Sequence, residues 1–362
     1  MKVVTILGAR PQFIKAAPVS KALHQAGISE FILHTGQHYD EAMSQRFFDD
    51  LELPPADVNL GVGSGSHGWQ TGQMLIGIEP VLQNIRPDWV IVYGDTNSTL
   101  AGALAAVKLN LPLAHVEAGL RSYNRSMPEE HNRVLTDHCA DLLFCPTQTT
   151  VENLKREGLA KCAHWVGDVM YDAVLLFTGI AERHESIFNK MRLSQGKYFL
   201  ATIHRPSNTD DSGRLKAILE ALDRQEFPVV FPIHPRTRMR MIDYGWDDPI
   251  DSQKSSYKSL HFINPTGYLD MLILEKNARL ILTDSGGVQK EAYWFGVPCL
   301  TIRFETEWIE TVQAGWNRLV EANTAEIIQA TREASQPSHN QPAYFGDGTA
   351  AAKISDLLLK SI

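Results

Sequence analysis

The sequence predicts an α/β protein of two domains, each a mostly parallel sheet with helices on both faces. Three observations predict it. Short unbroken apolar runs alternate with helix-length amphipathic stretches. That rhythm restarts near residue 198. The chain, at 362 residues, is longer than one ordinary α/β domain needs to bury a core.

In the first half, residues 3–7 form an apolar strand and 13–25 carry a helical pattern. Strand 89–93 precedes helix 98–108, strand 113–116 follows, and strand 141–145 leads into helix 149–157. Continuous rather than alternating apolar runs mark strands buried on both faces. The second half repeats the pattern with strands 198–203, 229–233, 261–263, 280–283 and 297–302. The halves meet near Gly167-Asp168, giving expected domains 1–168 and 169–347. Residues 246–258 and those after Pro337 read as exposed loops, and 350–360 as a last helix.

Composition narrows the function. Apolar residues are 44% and charged residues 21%, an ordinary globular balance. The net charge of −8 argues against a nucleic-acid or acidic-membrane partner, since phosphate backbones demand a basic face. A small anionic substrate needs only a local positive pocket. Cys139, Cys145, Cys162 and Cys299 lack metal-ligand spacing and lie in apolar stretches, so they read as reduced core residues. The 13 histidines form neither H-E-x-x-H nor H-x-H, so no metal is expected. No run of 18 apolar residues occurs and the sequence opens on a strand, so no membrane insertion and a cytoplasmic location are expected.

Doubly wound sheets bind ligands at the carboxyl ends of their strands, and chemically capable residues recur there. The first strand runs into Gly8-Ala9-Arg10-Pro11-Gln12, with Lys15 in the helix that follows; Arg10 and Lys15 place two cations beside a helix N-terminus, where phosphate binds well. The run 280–283 ends in Asp284-Ser285-Gly286-Gly287 and a helix starts at once, so the amides of Ser285, Gly286 and Gly287 suit a diphosphate. Glu291, one turn on, suits ribose hydroxyls. G-x-G-x-x-G and Walker A patterns are absent.

Asp95 and Glu117 end successive strands, and Glu129-Glu130 open the next helix with Arg133 one turn later, where it can pair with Glu129 or phosphate. Each acid alone is explained as a helix cap or first-turn acid. Three together suit removal of a proton from carbon, which needs a positioned and partly desolvated base. His204-Arg205 and His234 end equivalent strands of the second half, which favours binding or proton handling. Trp294, Trp308 and Trp316 fall within amphipathic patterns as core or interface residues.

Jointly, Gly8 to Lys15, Gly94-Asp95-Thr96, His115-Val116-Glu117-Ala118-Gly119-Leu120-Arg121, Pro128-Glu129-Glu130 with Asn132-Arg133, and Asp284-Ser285-Gly286-Gly287 resemble the non-hydrolysing UDP-N-acetylglucosamine 2-epimerase family, over essentially the whole chain. The resemblance implies two Rossmann-like domains in a GT-B-like (UDP-glycosyltransferase/glycogen phosphorylase-type) architecture, a cleft between them, a C-terminal helix at 348–362 returning to the first domain, and a homodimer. It implies a UDP-sugar substrate and no nicotinamide or metal cofactor. The implied activity inverts C2, converting UDP-N-acetylglucosamine to UDP-N-acetylmannosamine for surface polysaccharide precursors. UDP is eliminated to leave 2-acetamidoglucal, then re-added. The resemblance assigns catalysis to Asp95, Glu117, Glu129 and His204, the diphosphate to Arg10, Lys15, Arg133, His234, Ser285, Gly286 and Gly287, and ribose to Glu291.

Some positions depart from the family's commonest pattern. The first motif more often reads Gly-Thr-Arg-Pro-Glu. Gln37-His38 are kept, but the arginine that supports allosteric substrate binding has no match near Gln73, so allosteric control is not carried over. The loop Gly63-Ser64-Gly65-Ser66-His67-Gly68 and Glu307-Trp308-Ile309-Glu310 are closer to the branch acting on UDP-2,3-diacetamido-2,3-dideoxyglucuronic acid, whose extra carboxylate Arg205, Arg303 or Arg125 can receive. A GT-B glycosyltransferase, a hydrolysing epimerase and an inactive UDP-sugar sensor are the rival readings. The acid cluster and the lack of an evident acceptor patch disfavour the glycosyltransferase, the presence of all the candidate acid–base residues disfavours the sensor, and release of free sugar and UDP would mark the hydrolysing epimerase.

Overall fold

The structure, a computed structural model, describes residues 1–37, 53–183, 187–250 and 257–361. His38, half of one motif above, lies outside them. The chain forms two compact units, Met1–Leu176 with Ala343–Ile362, and Phe177–Pro342. Their boundary falls within a helix, Val169–Ala181, rather than ahead of it at 168, because that helix continues unbroken.

In the first unit the strands are β1 (Lys2–Leu7), β2 (Ser29–His34), β3 (Val58–Asn59), β4 (Trp89–Tyr93), β5 (Leu113–Val116), β6 (Leu142–Cys145) and β7 (Ala163–Trp165). They form one parallel sheet in the order β3-β2-β1-β4-β5-β6-β7. The winding direction reverses between β1 and β4, and their carboxyl ends therefore make the natural ligand crevice. Helices α1 (Arg10–Gln25), α2 (His67–Ile85), α3 (Asn97–Lys108), α4 (Pro128–Cys139), α5 (Gln148–Arg156) and α6 (Val169–Ala181) connect or follow the strands. Val4, Ile6, Val90 and Val92 pack against Met74, Ile78 and Leu82, which share one face of α2 at helical spacing.

The second unit holds β8 (Phe199–Thr202), β9 (Val229–Pro232), β10 (Leu260–Ile263), β11 (Leu280–Thr283), β12 (Cys299–Thr301) and β13 (Asn317–Leu319), ordered β10-β9-β8-β11-β12-β13 and all parallel. Here the reversal lies between β8 and β11. Helices α7 (Ser212–Asp223), α8 (Pro235–Asp243), α9 (Tyr268–Asn277), α10 (Gly286–Phe295) and α11 (Thr324–Glu333) flank it. A last helix, α12 (Ala350–Lys360), packs on α1, so the chain finishes in the unit where it began. Two Rossmann-like units of GT-B-like class are thus present.

Three expectations need correction. Of the expected exposed loop 246–258, residues 251–256 lie outside the described residues, and Trp246, Ile250 and Tyr257 pack against the second unit's core, because their apolar surface is worth burying. The Gly-rich loop expected at 63–68 gives way to helix at its end, since α2 starts at His67. Of the cysteines only Cys145 and Cys299 are buried; burial pushes both thiols up to about 12, while Cys139 and Cys162 are half-buried. No described helix is long and apolar enough to cross a membrane.

Candidate functional site

At the first unit's reversal point, Gly8 must be glycine. A Cβ there would lie 2.0 Å from Ser98 Oγ and 2.1 Å from Thr35 Oγ1. Gln12, buried in the first turn of α1, accepts from the Gly8 and Ala9 amides at 2.8 and 2.9 Å. Its amide nitrogen donates to the Tyr93 carbonyl at 2.9 Å and to Thr99 Oγ1 at 3.0 Å. One side chain thus closes a helix start and stitches the end of β1 to the end of β4. Arg10, the first residue of α1, is exposed.

The acids and bases form two ion pairs that sense each other. Lys15 pairs with Glu117, and both side chains are nearly buried. Burial alone would lower the Lys15 ammonium, but Glu117, Asp95 and Asp168 outweigh it and hold it above its ordinary range. Arg133 pairs with Asp95 and, at 3.0 Å, with Glu130. Burial opposes its charge, while Asp95, Glu130 and Glu117 overcome that and raise it.

The expected Arg133–Glu129 pairing is therefore corrected to Glu130 and Asp95. Glu130, one residue on, points back and accepts from the Ser122 and Tyr123 amides at 2.9 Å each. Glu129 stays exposed in the first turn of α4. Glu117 has φ of +70°, a left-handed conformation that costs a non-glycine residue roughly 1–2 kcal/mol. Such strain persists only where surroundings impose it, and it gathers at functional sites.

In the second unit Asp284, fully buried, ties the ends of β8 and β11 together. Its carboxylate accepts from the His204 and Arg205 amides at 3.0 and 2.9 Å and from Asn208 Nδ2 at 3.0 Å. Burial pushes this carboxyl up, but His204, the Arg205 amide and Asn208 together hold it below its usual value. His204 Nδ1 lies 3.2 Å from Asp284 Oδ1, which puts its proton on Nδ1 and leaves Nε2 for a ligand. His234 caps α8 by accepting the Arg236 amide at Nδ1, 3.1 Å, which places its proton on Nε2. The two rings lie 5.1 Å apart.

At the start of α10, the Ser285 amide donates to Thr283 Oγ1 at 2.9 Å. This amends the expected trio of diphosphate amides: the Thr283 hydroxyl takes the first, and Gly286 and Gly287 carry the helix's leading N–H groups. A Cβ on Gly286 would lie 3.4 Å from Trp308 Nε1 and 3.8 Å from both Arg205 and Glu307. Around Gly287 the nearest groups are Ser285 Oγ and the Glu291 carboxylate, at 3.9 and 4.0 Å. Arg303 is held by Glu307 through two bonds of 2.9 and 3.0 Å. Among the described residues no group of three or more His, Cys, Asp or Glu side chains is arranged to hold a metal ion.

The structure thus brings Asp95, Glu117, Lys15 and Arg133 together in the first unit, and sets His204, His234 and Ser285 just beyond strand ends of the second, with Gly286, Gly287 and Glu291 in the helix that follows Ser285. The residues that sequence reasoning left without a role are Gln12, Glu130 and Asp284. Each stood inside a motif, but much of its bonding is to backbone groups of loops that the sequence alone does not bring near it.

Comparison with known proteins agrees. A profile of the family described as UDP-N-acetylglucosamine 2-epimerase matches residues 21–359. A UDP-N-acetylglucosamine 2-epimerase homolog of Methanococcus maripaludis is 51% identical over 99% of both chains. The UDP-2,3-diacetamido-2,3-dideoxy-D-glucuronate 2-epimerase of Pseudomonas aeruginosa is 48% identical over 99% of this chain and all of its own. The crystal structure of Methanocaldococcus jannaschii UDP-GlcNAc 2-epimerase, in complex with UDP-GlcNAc and UDP, matches with a TM-score of 0.89 at 46% identity, covering 99% of this chain and all of that one. On these grounds the chain belongs to the UDP-N-acetylglucosamine 2-epimerase family and is an isomerase.

Proposed function

We propose that the enzyme interconverts UDP-N-acetylglucosamine and UDP-N-acetylmannosamine without net hydrolysis. A carboxylate takes the C2 proton as the C1–O bond breaks and UDP leaves, giving enzyme-bound 2-acetamidoglucal. A second acid then returns a proton to the opposite face of C2, and the UDP oxygen re-forms the bond to C1. The observation that carries this reading is the cluster of Asp95 and Glu117 with Lys15 and Arg133, acids and cations packed in one partly desolvated group.

Asp95, Glu117 and Glu129 are assigned the proton transfers. His204, oriented by Asp284, assists departure of the diphosphate. Arg10, Lys15, Arg133, His234, Ser285, Gly286 and Gly287 hold that diphosphate, and preorganised cations and amides are what its developing charge needs. Glu291 reads the ribose. Support for UDP-N-acetylglucosamine comes from the M. jannaschii enzyme, solved with that sugar nucleotide. The proposal extends to a cytoplasmic homodimer; Ile76, Val107 and Leu135, exposed on α2, α3 and α4, offer apolar surface on helices that pack side by side.

A second reading, the same chemistry on the diacetamido-uronate, is favoured by the P. aeruginosa relative and by Arg205 beside Gly286. Incubation of UDP-N-acetylglucosamine in deuterated buffer separates the two by NMR. UDP-N-acetylmannosamine carrying deuterium at C2 supports the first. No exchange there, with exchange on the diacetamido-uronate, moves the assignment to the second. Asp95→Asn, Glu117→Gln and Glu129→Gln are expected to lower turnover about 100-fold or more while UDP still binds; undiminished turnover in all three overturns the catalytic assignment.

A further inference from the structure

His115, in β5, is completely buried, and both its ring nitrogens are engaged. Nδ1 lies 2.7 Å from Asp137 Oδ1, and Nε2 lies 2.7 Å from the Gly94 carbonyl oxygen. Both partners are acceptors. A ring with one N–H would set a lone pair against an oxygen at one of the two contacts, in a site closed to solvent. Only a ring carrying two N–H groups satisfies both.

The contacts reach all three candidate acids. Through Nε2, His115 holds the Gly94 turn that carries Asp95, and Gly94 has φ of +63°. Through Nδ1 it holds Asp137, in α4, the helix that carries Glu129 in its first turn and Arg133 beyond it. Asp137 also accepts from the Gly119 amide at 3.1 Å, closing the turn that carries Glu117, where residues 117 and 119 have φ of +70° and +80°. Arg121, whose side chain is buried and 2.7 Å from Asp137, is itself held by the half-buried Glu157 through two bonds of 2.7 Å.

We propose that His115, doubly protonated on its ring, is a positioning residue of the epimerase, holding the turns of Asp95 and Glu117 and the helix of Glu129 in one arrangement. The proposal rests on the assignment of proton transfer to those acids. Three left-handed positions hang on this one buried link, and they are the places where the backbone relaxes when the link is cut. Misplacing a base by an ångström costs on the order of 100-fold in rate.

The test is His115→Gln and Asp137→Asn, each measured for UDP affinity, kcat, KM and deuterium uptake at C2 of the sugar nucleotide that the wild type turns over. In both, kcat and deuterium uptake are expected to fall about 100-fold, with UDP affinity changed less than about threefold. Wild-type protein labelled with 15N-histidine is expected to show one solvent-protected ring with two N–H signals at neutral pH. Turnover within threefold of wild type, or UDP affinity falling in step with kcat, overturns the proposal. If His115→Gln does not fold, Asp137→Asn and the wild-type ring signals decide, and protected rings carrying only one N–H each overturn it. Failure of the wild type to exchange C2 on either UDP-sugar would instead reject the epimerisation reading, and the ring signals read His115 independently of that.

Discussion

Gly94 is hemmed in from two directions. Its φ of +63° excludes most side chains, and an added Cβ would sit 3.2 Å from both Glu117 Oε2 and Lys15 Nζ. Gly94→Ala is expected to lose roughly 1–2 kcal/mol of stability from the backbone alone. Turnover is expected to fall as well, since the Lys15–Glu117 pair must give way. Urea unfolding and a rate assay check both; an unchanged midpoint sinks the strain argument. Glu275 shows the opposite situation, a buried group that the chemistry leaves unused. It is 1% exposed, and neither carboxylate oxygen has a hydrogen-bond partner among the described residues. Burial, with Glu291 nearby, pushes its carboxyl well above the usual range. A raised folded-state value means that its stability contribution is complete at acid pH and is lost as pH rises through that value. Glu275→Gln is therefore expected to gain stability over wild type progressively from acid to neutral pH. A gain independent of pH would refute the account. At this scale residue type marked Asp95, Glu117 and His204 as candidates, and the structure sets each just beyond a strand end. The sequence was mute where a side chain serves distant backbone. Nothing around Gln12 or Asp284 shows that Tyr93 or His204 waits across the fold.

Elements were legible according to their burial. β4, β5 and β11 lie inside their sheets, are buried at every position and are mostly apolar, so their bounds were readable to the residue. β2 begins with exposed Ser29, β3 has only two residues, and β7 and β13 are edge strands with polar members; none carries an apolar run that stands out from a loop. α12 was legible as a helix, and its docking on α1 explains why it forms. Ile354 and Leu358, four residues apart, are both fully buried. Asp172 of α6 receives the Ala350 and Ala351 amides at 3.2 and 2.9 Å, and burial raises its carboxyl to about 6. Leu358→Ala is expected to cost about 2–5 kcal/mol, since it leaves a cavity at a closed helix–helix contact. A denaturation midpoint within error of wild type would show that α12 contributes nothing to the first unit.

Each unit owns a sheet and a core, yet only one is continuous in sequence. Residues 177–342 contain the whole of the second unit, whereas the first needs 343–361 as well as 1–176. A fragment of residues 177–342 is expected to unfold cooperatively by itself. A fragment of residues 1–176 lacks the helix that covers α1 and is expected to bind a hydrophobic dye and melt broadly, and addition of a peptide spanning 343–361 should sharpen that transition. Equal cooperativity in the two fragments would show that the returning helix is dispensable. The two-unit plan was readable from the restart of the βαβ rhythm, but the exact boundary was not, because one helix serves as the end of the first unit and the start of the second.

The returning helix also sets a timetable. On the ribosome residues 1–176 of the first unit are made before the second unit, but their covering helix is made only after the entire second unit has emerged. Throughout that interval α1 presents an unclosed apolar seam, the kind of surface that chaperones hold and aggregation exploits. The second unit can therefore finish folding first, although it is synthesised second. Moving the coding segment for 343–361 ahead of residue 1 would reverse that order and shorten the life of the open seam.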